Sequence, residues 1–155
     1  MVSVYFLDSS ALVKRYIAEA GTAWIQQISA PQARHQLIIA RIAWVEVLGA
    51  LARRQREAIL SPARVAEAIQ AFRFDLDTQY KVVELDRPLA ELAGKLVGKH
   101  PLRAYDAVQL ASALWLQSAI PSEKVVSLTF LTADDRLLTI AQAEGLLTDN
   151  PNHHP

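Results

Sequence analysis

Short uncharged runs rich in β-branched and aromatic residues alternate along this chain with longer amphipathic stretches, and that alternation narrows the possible folds more than any other feature. Val2–Leu7 reads as a buried strand. A helix over Ala11–Glu19 follows, with Ser9 or Ser10 available to cap it and Gly21 to end it. Thr22–Ser29 predicts a second helix, stopped by Pro31, and Gln36–Ala40 a second strand that runs into a long helix from about Ile42 to Ala58. Ser61-Pro62 places an N-cap and a first-turn proline at the start of a helix reaching about Tyr80. Lys81–Leu85 is a third strand. A helix opened by Asp86 and Pro88 then fades near Gly94 and Gly98. Ala104–Ser118 is helical, Val125–Leu131 a strand, Asp134–Glu144 a helix, and Leu146–Thr148 a short edge strand. Strands separated by helices predict an α/β fold, a central parallel sheet of four to five strands with helices on both faces. A chain of 155 residues is most simply one domain, here residues 1–148, with 149–155 (DNPNHHP) as a flexible tail.

Four acidic residues break the apolar runs. Asp8 closes VSVYFL, Glu46 interrupts LIIARIAWVEVLGALA, Asp106 opens the helix AYDAVQLASALWL, and Asp134 follows SLTFLTA. A carboxylate beside a core costs several kcal/mol unless it is neutralised, paired or metal-bound. Parallel sheets bind ligands at the carboxyl ends of their strands, near a reversal in strand order. Asp8, Glu46 and Asp134 each follow a predicted strand, so they fall on that edge. Asp106 lies in a first helical turn, where the helix dipole favours negative charge. Each acid alone has a plain structural reading, with Asp8 and Asp134 as helix caps and Asp106 as a dipole complement. Glu46 resists it, because a carboxylate within IAWVEVLGALA gains nothing from capping.

Oxygen donors without cysteine or usefully spaced histidine suit Mg²⁺, with Mn²⁺ as a substitute, rather than zinc. The missing cysteines also exclude a disulfide framework and a thiol nucleophile, and fit a cytoplasmic protein. With 16 basic and 16 acidic residues, the chain lacks the long-range field of a strongly basic nucleic-acid binder, so any such binding must be local. No apolar run is long enough for a membrane span, and the N-terminus lacks the pattern of a secretory signal.

Taken in order, YFLDSSALVKRY, IAWVEVLGAL, LRAYDAVQLASAL and FLTADDRLLTIA resemble the four acidic motifs of PIN-domain ribonucleases. The similarity is strongest to the VapC-like toxins of toxin–antitoxin pairs and extends from Val2 to about Leu147. It implies a PIN-like fold and a Mg²⁺-dependent endoribonuclease whose metal-binding and catalytic acids are Asp8, Glu46, Asp106 and Asp134. It further implies RNA as substrate, a cognate antitoxin as partner and a homodimer. Asp134, after a hydroxyl and a small residue, matches the fourth motif better than Asp135, which becomes a neighbour able to reach a second metal through water. Ser9 and Thr132 match small-hydroxyl positions. Lys14, Arg15 and Arg103 are the nearer phosphate candidates, and Arg53, Arg54 and Arg56 read first as a solvated helix end and second as a phosphate contact. Asp75, Asp77 and Asp149 read as solvated, and His35, His100, His153 and His154 as non-ligands. Trp24, Trp44 and Trp115 read as core or interface residues, and apolar residues such as Trp44 and Phe72, beyond one core stripe, suggest an association surface.

Other classes remain to be weighed against this one. A non-catalytic PIN-like module that binds RNA or protein would have no physical reason to keep all four acids, and a housekeeping nuclease would lack an antitoxin. An aspartyl phosphatase of the haloacid-dehalogenase type wants a second Asp two residues after the nucleophile, where this chain has Ser10. The five glycines cannot form the dinucleotide-binding G-x-G-x-x-G pattern.

Overall fold

In the computed structural model, which describes residues 2–123 and 126–155, five strands form one parallel sheet. They are β1 (Val4–Leu7), β2 (Gln36–Ala40), β3 (Lys81–Val83), β4 (Leu128–Leu131) and β5 (Leu147–Asp149), in the order β3-β2-β1-β4-β5. The chain builds outward from β1 to β3 on one side, then crosses back to place β4 and β5 on the other. The order therefore reverses beside β1, and the crevice at the carboxyl ends of β1 and β4 is where such a sheet binds ligands.

The period-2 alternation of the strands divides the interior into two cores. Leu7, Leu37, Ile39 and Leu131 face a layer made by α1 (Ser9–Leu12), α2 (Thr22–Ser29), α3 (Ala43–Arg56) and α4 (Pro62–Thr78). Val4, Phe6, Ile38, Ala40, Leu128 and Phe130 face α5 (Arg87–Lys99), α6 (Ala104–Ala119) and α7 (Asp135–Ala143). Both faces of the sheet are thus covered, as strands this uniformly apolar require. Helix starts follow local chemistry. The Ser61 hydroxyl accepts from the Arg64 N–H ahead of Pro62, and the Asp86 carboxylate accepts from the Leu89 N–H at 3.0 Å ahead of Pro88.

Four departures from the sequence reading have physical causes. The first helix is one turn, capped by Asp8 rather than by Ser9 or Ser10, and tightens to a 3₁₀ turn over Val13–Arg15. Tyr16 and Ile17, adjacent in sequence, both enter the core, whereas a continuing helix would turn them about 100° apart. Secondly, α5 does not fade at Gly94 or Gly98. Both lie on its exposed side, while Leu89, Ala93 and Leu96 are buried on the other, and that burial outweighs a glycine cost of about 1 kcal/mol each. Thirdly, β4 begins at Leu128; Val125, where the strand was expected to start, lies outside the described residues.

The fourth departure is the C-terminal end, which packs rather than frays. Pro151–His153 forms a 3₁₀ turn, and Asn150 and Pro151 are buried. The His154 ring stacks on Trp24 with centroids 4.0 Å apart and bonds Asp149 at 2.9 Å. Gly21 makes this closure possible. Its φ of 86° belongs to the left-handed region, and a Cβ there would lie 2.3 Å from the Pro151 carbonyl oxygen. Asp75 is likewise not solvated. It accepts from the Tyr16 hydroxyl at 2.7 Å and pairs with Arg15 at 3.4 Å, in a buried network that includes Tyr80.

Candidate active site

All four acids line one open cleft of about 710 Å³ at the carboxyl edge of the sheet. Asp8 leaves β1, Asp134 lies past the end of β4, Glu46 sits in the first turn of α3 after β2, and Asp106 sits in the first turn of α6. Among the described residues none of the four forms an ion pair with Lys, Arg or His. Negative charge is therefore gathered at one place without direct compensation.

Asp8 is the deepest, at 4% exposure. Its Oδ1 accepts from the Ser10 hydroxyl at 2.7 Å and from the Ala11 N–H at 2.9 Å, so it caps α1 while facing the cleft. Burial pushes its pKa up to about 6. Hydrogen bonds from Thr132, Ser10 and Ala11 pull against that rise, and the charge of Asp106 adds to it. Asp106 is also held above the ordinary carboxylate range, first by desolvation and then by repulsion from Asp134 and Glu46. Arg103 and Arg136 oppose the shift.

Asp134 caps α7, its Oδ1 accepting from Arg136 N–H at 2.9 Å and, more weakly, from Leu137 N–H at 3.4 Å. The capping readings of Asp8 and Asp134 therefore hold, and both residues line the cleft as well. Ser10 and Thr132 tie these two loops together. The Ser10 oxygen accepts from Ala133 N–H at 2.9 Å and lies 3.3 Å from the Thr132 hydroxyl, which accepts from Asp134 N–H at 3.1 Å. Asp135 turns away from the cleft, its Oδ1 accepting from the Asn150 amide at 2.8 Å.

Glu46 is fixed by two neighbours. Its Oε1 accepts from the Ser9 hydroxyl at 2.9 Å and from the Gln109 amide at 2.8 Å, and that amide also reaches Ser9 at 2.9 Å. Gln109 is the residue that sequence reasoning missed. It is one turn beyond Asp106 on the same helix face and almost fully buried, and its Oε1 lacks a hydrogen-bond partner. The signal was available as an amide at i+3 from an acid, flanked by apolar residues of the same helix.

The expected phosphate candidates sort differently from the sequence reading. Arg15 is engaged with Tyr80, Gln79 and Asp75, and Lys14 is buried against Glu19. Arg103 lines the cleft. Arg53, Arg54 and Arg56, read first as a solvated helix end, also line it. Trp24 and Trp44 are partly buried against the core, whereas Trp115 is half exposed. Phe72 is fully buried between Tyr16, Trp44 and Tyr80, so it is not available to an association surface.

The donor chemistry fits a hard divalent cation. The cleft offers carboxylates, hydroxyls and a partnerless buried amide oxygen, with no thiol or imidazole among its lining residues. Among the described residues, however, no three acidic or imidazole groups already converge into a metal-sized cage. The carboxylates ring the cleft, and Asp8 and Asp106 are both raised, chiefly by desolvation and further by the charge of neighbouring acids, which a cation would offset.

Comparison with known proteins identifies the family and the fold. The PIN domain family matches residues 5–143. Ribonuclease VapC45 and Ribonuclease VapC49, both of Mycobacterium tuberculosis, are each 35% identical over 114 residues, covering 74% of this chain and 76% of theirs. The VapBC2 structure from Rickettsia felis, bound to a promoter DNA fragment, shares the fold with a TM-score of 0.65 at 10% identity, covering 95% of this chain and 98% of its own.

Proposed function

The chain belongs to the PIN-domain family, and from that premise we propose that it is a divalent-metal-dependent endoribonuclease, the toxin of a toxin–antitoxin pair. The observation that carries this reading is the cleft itself, where four acids from four separate segments line one space and, among the described residues, form no ion pair. Two VapC ribonucleases at 35% identity support the choice of RNA as substrate.

In this reading Asp8, Asp106, Asp134 and Glu46 would hold Mg²⁺ or Mn²⁺. The cation would supply Lewis-acid stabilisation of charge on the phosphate and acidify a water. The protein's own residues do the rest. Gln109 and Ser9 fix Glu46 through Oε1, so that its carboxylate orients the attacking water. Ser10 and Thr132 hold the loops carrying Asp8 and Asp134 in register, which keeps the two carboxylates on one side of the substrate. Water attacks phosphorus and the O3′ leaves, so the products carry 5′-phosphate and 3′-hydroxyl ends. Single-stranded or loop RNA suits an open cleft because its bases can splay apart.

An antitoxin and a second copy of the chain are the proposed partners. Val45 beside the cleft, with Ile59 and Phe74 on the α3–α4 hairpin, are large apolar side chains left mostly exposed. No described helix is long and apolar enough to cross a membrane.

The test is cleavage of single-stranded and duplex RNA with Mg²⁺, Mn²⁺ or chelator, alongside Asp8→Asn and Glu46→Gln. Metal-dependent cutting that falls by orders of magnitude in both variants is expected. Cleavage that survives chelator, or leaves 2′,3′-cyclic phosphate ends, contradicts the mechanism.

A further inference from the structure

The cleft is bipolar, and its second half has no role in the chemistry just described. One face of α3 runs through Glu46, Gly49, Ala50 and Arg53, the spacing that places residues in a single row. The acid stands at the catalytic end and the arginine at the far end, with no large side chain between them. Arg56 adds a further exposed cation there. Arg54 is tied to Glu19, which also holds Lys14, so those two charges are largely spoken for. Among the described residues Arg53 and Arg56 form no ion pair.

Gly49 is the telling residue. A glycine within a helix destabilises it relative to alanine, and of the helix glycines Gly49, Gly94 and Gly98 only Gly49 lines the cleft, so its presence there invites a reason. Packing within the protein does not provide one, since Gly49 is exposed and a Cβ built there would meet nothing within 4 Å. What its smallness does leave is an unobstructed floor between the acids and Arg53.

We propose that this face of α3 is a track for the RNA backbone, with Gly49 and Ala50 allowing close approach and Arg53 and Arg56 binding phosphates beyond the scissile one. The inference rests on the ribonuclease reading and extends it to a subsite. From Glu46 to Arg53 is about 10 Å along the helix axis at 1.5 Å per residue. The phosphate held at Arg53 therefore belongs to a nucleotide near the cut but not to the scissile linkage. Guanidinium groups suit this task because they bind phosphate oxygens in a fixed fork.

The experiment is fluorescence anisotropy with a labelled single-stranded RNA in chelator, across a salt series, using wild type, Arg53→Gln, Gly49→Leu and Lys95→Gln on the distant α5. Thermal melts accompany each variant. Arg53→Gln should weaken binding about tenfold and lower the salt slope by about one. Gly49→Leu should raise the melting temperature yet weaken RNA binding, a combination that simple misfolding cannot produce. Lys95→Gln should match wild type. Wild-type affinity and salt slope in both cleft variants would overturn the track, and this is also the outcome if the face serves a protein partner instead. Wild-type protein that binds no RNA would overturn it too. Binding lost in the two variants, with no cutting by wild type when Mn²⁺ is restored, would leave the track standing and remove the nuclease reading.

Discussion

Replacing Asp8 with asparagine should make the metal-free protein more stable, although it should abolish the activity proposed for it. Burial pushes the Asp8 carboxyl up to about 6 from the ordinary 3.8. At 1.36 kcal/mol per unit this corresponds to about 3 kcal/mol lost by ionising the group in the folded state. The sign follows from proton uptake. Below pH 3.8 both folded and unfolded chains hold the proton and nothing is lost. Between 3.8 and 6 the unfolded chain has released it while the folded chain still holds it, so stability falls as pH rises. Above 6 the full deficit is present and constant.

Asparagine keeps an oxygen for the Ser10 hydroxyl and the Ala11 N–H, but buries an amide that must find its own partner at a cost of about 1 kcal/mol. The net gain is about 2 kcal/mol, or roughly 4–8 °C for a chain of this length. Thermal melts of both proteins in chelator from pH 4 to 8 measure it. The advantage of Asp8→Asn should grow between pH 4 and 6 and then level off. An advantage independent of pH, or a variant less stable than wild type at pH 7.5, would refute the assignment of a desolvation penalty to this carboxyl.

Three further outcomes are expected. Gln109→Leu removes the amide that holds Glu46, so RNA cleavage should fall by about tenfold to a hundredfold and cation affinity should weaken with it; an unchanged rate would show that Glu46 needs no such support. Phe72→Ala empties a fully buried site and should cost about 3–5 kcal/mol in denaturant unfolding, whereas a loss under 1 kcal/mol would contradict the described core. Light scattering at high concentration should report a dimer that Phe74→Glu, at an exposed position, returns toward the 17.1 kDa monomer; a monomer at every concentration would remove the self-association proposal.

Much of the fold was legible because the strands are apolar on both sides and their neighbours carry caps. Ser61-Pro62 and Asp86 open helices where expected, and Gln36–Ala40 and Thr22–Ser29 have the expected bounds. The first helix was misjudged because its length depends on how Tyr16 and Ile17 enter the core, a tertiary matter invisible to local pattern. The C-terminal end was misjudged for a similar reason. DNPNHHP is polar, and only the approach of Gly21 and Trp24 from a distant segment gives it something to pack on. In the cleft, charge in an apolar context pointed to all four acids. Gln109 carries no charge to mark it, and whether Arg53 faces solvent or the cleft depends on how α3 packs, which local pattern does not show.

A calorimetric Mn²⁺ titration of wild type, Asp8→Asn and Asp106→Asn, at a pH above 7 where Asp8 is ionised, tests most directly whether these acids act as one site. Wild type should bind the cation weakly and release protons more strongly as the pH is lowered toward 6. Each substitution, although on a different segment of the chain, should reduce the affinity by an order of magnitude or more. Unchanged Mn²⁺ affinity in both variants would contradict a shared cation site.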